Sequence, residues 1–288
     1  MTRCAVILAL LACIAGSALR DAPAAEDFTR LEKAAAKETG RIAKTWLDLA
    51  RYLVQRDLKA EAEEALAKAE ALDPEVKGLE DVREKVEALA GEGVMDAATE
   101  KRILKARRAA AKGYEKLAKV FDKERQDDRY PLSLITAYRL EPTKARRKRL
   151  ADMAKKDFLL VQAPGHPMAA YVSLPKAWKD GKRWPVLVSV EGAGSNFKGN
   201  AKGFKNARGS RDWITVSPHA LSCTNEVKLD KYPAYTKELV QAWNNKRIDF
   251  DVPGLVAILD DLKSMFGAED KVAITGFSGG GNLCYGFL

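Results

Sequence analysis

The chain is poor in the residues that build metal and redox centres. It has 2 histidines in 288 residues, His166 and His219, and 4 cysteines, Cys4, Cys13, Cys223 and Cys284. No His/Cys grouping has the spacing of a metal-ligand set, so neither a metal nor an organic cofactor is implied. Cys223 and Cys284, the pair outside the N-terminal segment, are too few for a disulfide scaffold, although an oxidising compartment would permit a bridge between them. No apolar run reaches the ~20 residues of a membrane span. Acidic residues are in deficit, 40 against 49 basic, for a formal net charge of +9. No nucleic-acid-binding module accompanies that charge. The basic clusters at Lys101-Arg102, Lys105, Arg107-Arg108, Lys144, 146–149 and Lys155-Lys156 read as solvated helix faces, with attraction to anionic envelope polymers or lipids as the sharper alternative. A hydrophobic share of 47% leaves material for a core, and the length leaves room for two modest domains.

Residues 1–24 read as a signal peptide. Arg3 supplies the positive start, Cys4 to Ile14 the apolar stretch, and Ala22-Pro23-Ala24 a cleavage site before Ala25. The chain is therefore expected outside the cytoplasm, secreted or periplasmic. Leu10-Leu11-Ala12-Cys13 loosely resembles a lipobox, but Leu11 suits it poorly and apolar sequence continues past Cys13.

Residues 25–155 form an Ala-, Glu-, Lys-, Arg- and Leu-rich helical region with apolar positions at helical period. Two stretches resemble the tetratricopeptide repeat, a helical hairpin of ~34 residues. In 43–76 the pattern is carried by Trp46, Leu49, Ala50, Leu53, Ala62, Leu66, Ala69 and Pro74. In 111–144 it is carried by Tyr114, Leu117, Ala118, Phe121, Leu134, Ala137 and Pro142, with Tyr130 where a small contact residue belongs. Between them, Glu80, Arg83 and Glu87 fall where apolar residues are wanted, and Gly91-Glu92-Gly93 interrupts the segment. The alternative is a generic helical array without a peptide groove.

From Phe158 the composition turns to that of an α/β domain, 156–288. Strands are expected at 158–161, 169–174, 184–190, 213–217 and 272–275, and an amphipathic helix at 252–266, with Leu255, Ile258, Leu259 and Leu262 on one face. Glu191-Gly192-Ala193-Gly194-Ser195-Asn196 forms a glycine-rich loop after the third strand. After the last strand comes Gly276-Phe277-Ser278-Gly279-Gly280, with a helix start behind it. A serine between glycines on a strand–turn–helix is the pattern of a nucleophile elbow. The bare pattern arises by chance in about one chain in ten of this length, so its context gives it meaning. Side chains at Gly276 and Gly280 would crowd the turn, and Gly279 leaves its N–H open to an oxyanion. The competing reading is an ordinary glycine-rich β-to-α turn with a bystander serine.

The order of strands, the Leu174-Pro175 step, the glycine-rich loop and the elbow together resemble the α/β-hydrolase family, near its secreted esterase and polyhydroxybutyrate-depolymerase branch, over 158–288. The resemblance implies an α/β fold with a parallel hydrolase sheet, Ser278 as nucleophile, and an oxyanion hole from the backbone N–H groups of Gly279 and Ala193. Where the family usually has His-Gly, this chain has Glu191-Gly192, a carboxylate that must point away from the developing charge or be paired. The acid and histidine of the triad should follow Ser278 in chain order, and residues 279–288 contain neither, so the chain reads as a fragment with an incomplete sheet. His219 is a conceivable substrate contact rather than the base, and His166 an expected surface residue. The expected activity is hydrolysis of a small-molecule or polymeric carboxylic ester, with a protein partner for the helical repeats. The rivals are a prolyl-oligopeptidase-like serine peptidase and a non-catalytic envelope scaffold.

Overall fold

The computed structural model describes residues 25–122, 128–209, 211–232 and 234–288. The expected signal peptide, the lipobox-like Cys13 included, lies outside the described residues. The chain divides into two units, one ending at Thr143 and one running Lys144–Leu288.

In the first unit the helical pattern produces α1 (Ala25–Val54), α2 (Lys59–Leu72), α3 (Leu79–Glu87), α4 (Ala97–Phe121) and α5 (Arg129–Leu140). Ile42, Trp46, Leu49, Ala50 and Leu53 make one buried stripe on α1, and Ala62, Ala65, Leu66 and Ala69 face it from α2. Small residues set the close approaches: a Cβ on Gly113 of α4 would sit 2.5 Å from Ile42 Cγ1. α4 starts at Asp96, whose carboxylate accepts the Thr99 N–H at 2.7 Å. Helical hairpins thus stand at both repeat-like stretches, but α1 and α4 begin well ahead of positions 43 and 111. On α3 the buried residues are Leu79, Val82 and Val86, one position ahead of the face on which Glu80, Arg83 and Glu87 looked misplaced.

The second unit opens with α6 (Lys144–Lys156), which packs with the sheet: the Ala154 carbonyl accepts the Leu174 N–H at 3.0 Å, and Lys155 Nζ stands 5.5 Å from the Trp178 ring centre. The elements that follow are β1 (Leu159–Gln162), β2 (Ala169–Ser173), β3 (Trp184–Val190), α7 (Phe197–Ala207), β4 (Ile214–Pro218), α8 (Lys237–Trp243), α9 (Arg247–Phe266), β5 (Ala268–Gly276) and α10 (Gly281–Phe287). The five strands form one sheet in the order β1-β2-β4-β3-β5. The sheet is mixed, not wholly parallel as expected: β2 runs antiparallel to β1 and β4, while β3, β4 and β5 are parallel. The link 163–168 is too short for a crossover, so β1 and β2 can only pair as a hairpin.

Helix α9 begins at Arg247, ahead of the expected start at 252, and carries Pro253 inside it. Phe250 and Asp251 are both fully buried and hold that extra turn helical, overriding the local cost of the proline. β3 is followed by β4 on one side of it and, through α9, by β5 on the other. Right-handed crossovers therefore put α7 and α9 on opposite faces, and the sheet reverses direction at the C-terminal ends of β3 and β5, where open α/β sheets place ligands. β5 is the edge next to β3, with Val272 and Ile274 half-exposed and Ala273 and Thr275 exposed.

Candidate functional site

β5 ends at Gly276, and the chain turns at once into a 3₁₀ turn, Ser278–Gly280, and then α10. Ser278 takes φ 51°, a left-handed value that an L side chain adopts only at a cost of about 1–3 kcal/mol when the surroundings enforce it. Four backbone contacts do so. The Phe277 N–H donates to the Val190 carbonyl of β3 at 3.1 Å, and the Gly280 N–H to the Phe277 carbonyl at 2.9 Å. A Cβ on Gly276 would lie 2.5 Å from the Gly280 carbonyl oxygen, and one on Gly280 would lie 2.6 Å from the Val190 carbonyl oxygen. Both elbow glycines are thus required by close packing of main chain on main chain. Ser278 is exposed, and the Phe277 ring beside it is 75% exposed.

The glycine-rich loop after β3 comes up against this turn. A Cβ on Gly192 would sit 3.2 Å from the Ser278 Cβ and 2.9 Å from the Phe277 carbonyl oxygen. Ala193, next in the chain, is exposed. Ser195 closes the loop at φ 50°, its N–H donating to the Gly192 carbonyl at 3.0 Å. Gly279 lies in the first turn of its helical segment, where N–H groups lack intrahelical acceptors. Burial pushes the half-buried Glu191 carboxyl above the usual carboxylate range, and a bond from the Gly192 N–H opposes it. A carboxyl that is easier to neutralise is less hostile to a nearby oxyanion.

A third loop, 219–225, backs the elbow, and no sequence pattern marks it. A Cβ on Gly279 would collide with the Cys223 carbonyl, and Asn282 Nδ2 donates to the Ser222 carbonyl at 3.0 Å. The loop is clamped from α9. Asp251, fully buried, accepts the Leu221 and Ser222 N–H groups at 2.9 and 2.8 Å. Arg247, one helical turn earlier, donates to the Thr224 carbonyl and, at 2.9 Å, to the Asn225 carbonyl. Burial pushes the Asp251 carboxyl up to about 6, against the pull of its amide donors and Arg247. The acidic residue takes the loop's donors and the basic one its acceptors. Hydrophobic periodicity marks Leu255, Ile258, Leu259 and Leu262 but is blind to such polar anchors.

The histidines serve elsewhere. His219 is fully buried, stacked on Phe197 at 4.6 Å with Tyr171 edge-on at 4.9 Å, and neither ring nitrogen has a hydrogen-bond partner. Burial lowers it to about 3. It is core, not a substrate contact. His166, expected at the surface, is half-buried: it packs on Phe250 at 4.6 Å, its Nδ1 accepts the Met168 N–H at 3.1 Å, and burial lowers it to about 4. Cys223 and Cys284 are both free thiols. Among the described residues, no group of three or more His, Cys, Asp or Glu side chains is arranged to hold a metal ion, and no helix is long and apolar enough to cross a membrane. An open hollow of about 440 Å³ over α6, lined by Ala145, Arg149 and Met153 among others, includes none of the candidate residues.

Compared with known proteins, the chain matches no family model and no curated protein. The functional reading therefore rests on the geometry.

Proposed function

We propose that the protein is a serine hydrolase of α/β-hydrolase type that cleaves carboxylic esters through an acyl-enzyme at Ser278. The observation that carries the reading is the Ser278 turn: a non-glycine residue at φ 51°, exposed, at the mouth of a parallel strand. Backbone strain of this kind clusters at active sites, where the surrounding structure enforces it. Ser278 Oγ would attack the acyl carbon, and the carbonyl oxygen would take up negative charge facing the Gly279 and Ala193 N–H groups. Each such donor is typically worth ~10²–10³ in rate. Collapse of the tetrahedral species expels the alcohol, and water then releases the acid. The base that takes the serine proton is a group other than His166 and His219. We place the protein outside the cytoplasm on the strength of residues 1–24, with the helical hairpins as the surface for a protein partner.

The test is a fluorophosphonate probe on the protein made from its natural gene, with Ser278→Ala as control. Labelling that maps to Ser278 is expected, with cleavage of p-nitrophenyl acetate. Cleavage of peptide amides instead would move the reading to a peptidase. Folded protein that takes no label would sink it in favour of a scaffold.

A further inference from the structure

Tyr232 stands between the two loops that flank Ser278, and its ring is fully buried. Its hydroxyl donates to the Ala220 carbonyl at 2.9 Å. With its one proton committed there, the phenol oxygen accepts from Ser195 Oγ at 3.3 Å. Cys223 Sγ lies 3.5 Å from the same oxygen. One atom is therefore tied to the loop that carries Ala193 and to the loop whose Cys223 carbonyl packs on Gly279.

We propose that Tyr232 is a positioning residue that fixes the spacing between the two oxyanion donors, Ala193 N–H and Gly279 N–H, by bridging Ser195 to the Ala220–Cys223 backbone. This rests on the Ser278 reading. Ser195 holds its left-handed backbone two residues from Ala193, and such a conformation persists only where neighbours enforce it. The ring has its own support: Phe197 packs on it edge-on at 4.9 Å and Tyr235 stacks on it at 5.3 Å. Tyr235 in turn donates to the His219 carbonyl at 2.6 Å, so the chain leaving β4 is pinned at two successive carbonyls. Removing only the Tyr232 oxygen leaves the packing and deletes the bridge.

Tyr232→Phe, Ser195→Ala and the double variant separate these roles. Fluorophosphonate labelling of Ser278, followed over probe concentration, resolves the maximal rate from the probe's half-saturation. Tyr232→Phe should lower the maximal rate about tenfold, as donor misplacement does, and leave half-saturation within about twofold, since uniform binding is untouched. Ser195→Ala should do the same, and the double variant should be no slower than the slower single, because both delete one bridge. Additive slowing, or an unchanged rate in Tyr232→Phe, overturns the proposal. Amide exchange gives an arm that needs no reactivity: the Ser195 N–H should exchange several-fold faster in Tyr232→Phe while β3 amides do not change, and equal exchange also overturns it. A wild type that takes no label but shows this exchange pattern would refute the hydrolase reading and uphold the bridge.

Discussion

Ser195 and Ser278 follow neighbouring parallel strands, β3 and β5, and both sit at φ close to +50°. Beyond the backbone they part. Ser195 is buried, with its hydroxyl against Tyr232. Ser278 is exposed, in a turn held entirely by main-chain contacts. The same unfavourable conformation thus stands once inside a side-chain network and once in a frame that leaves the hydroxyl uncommitted. A strained serine with a partner is architecture. A strained serine held out to solvent is the arrangement a nucleophile needs, because nothing in the fold uses its side chain.

The strongest way to break this contrast is Ser278→Gly. All labelling should vanish. Glycine relieves a strain of about 1–3 kcal/mol, and its added freedom in the unfolded chain returns about 0.4–1 kcal/mol. The variant should come out about 1 kcal/mol more stable, a rise in Tm of about 2–4 °C for a domain of this size. A variant that melts with or below wild type would show that Ser278 is not strained at the expense of stability.

The frame itself is tested next. Gly279→Ala drives a methyl into the backbone carbonyl of Cys223, which cannot rotate away. Such overpacking should cost about 1–3 kcal/mol and slow labelling at least ~10-fold through displacement of the elbow. Gly194→Ala, in the other loop, meets nothing within 4 Å and should leave both quantities near wild type. Equal behaviour of the two in urea melts and labelling would remove the third loop from the site.

Much of this was legible from pattern. The strands at 184–190 and 272–275, the elbow and the partner loop at 191–196 announce themselves through β-branched runs broken by glycine, because glycine is kept where backbone meets backbone. What pattern could not supply is partnership. Asp251, Arg247, Tyr232 and Cys223 bind across 9 to 37 positions of sequence, and nothing local distinguishes a buried Asp on α9 from the exposed Asp260 on the same helix. His219 misleads for the same reason. A histidine after a strand looks like chemistry until three aromatic rings are seen around it.

His219 also sharpens the contrast, since it lies under the Ser195 side: Phe197, two residues on, stacks against it. Its native value, lowered to about 3 by burial, lies below the unfolded value, so on acidification the unfolded chain takes the proton first. Its contribution is present above pH ~6.5 and is lost as pH falls, by about 2 kcal/mol between pH 6.5 and 5. His166, also lowered, adds in the same direction. Asp251, raised to about 6, opposes them, because there the native state takes the proton first. His219→Phe keeps the ring and removes two unpaired nitrogens, so stability at pH 7 should stay within about 1 kcal/mol of wild type, while the fall toward pH 5 should shrink by about 2 kcal/mol. Ser278→Gly should keep the wild-type pH slope. A His219→Phe variant with an unchanged slope would mean that the buried ring titrates normally.

The smallest effect is the one that isolates the comparison. Ser195→Gly relieves the same backbone strain as Ser278→Gly but also deletes the hydroxyl that faces Tyr232, a bond worth about 1 kcal/mol. The gain from strain, the lost bond and the extra freedom of the unfolded chain nearly cancel, so the variant should fall close to wild type and about 1 kcal/mol below Ser278→Gly. Measured side by side in urea, the two glycine variants should therefore differ by about 1 kcal/mol despite equal backbone angles. If both gain equally, the Tyr232 bond contributes nothing and the two turns do not differ in kind. If both lose, neither serine is strained, and the positive φ at Ser278 ceases to be evidence for a nucleophile.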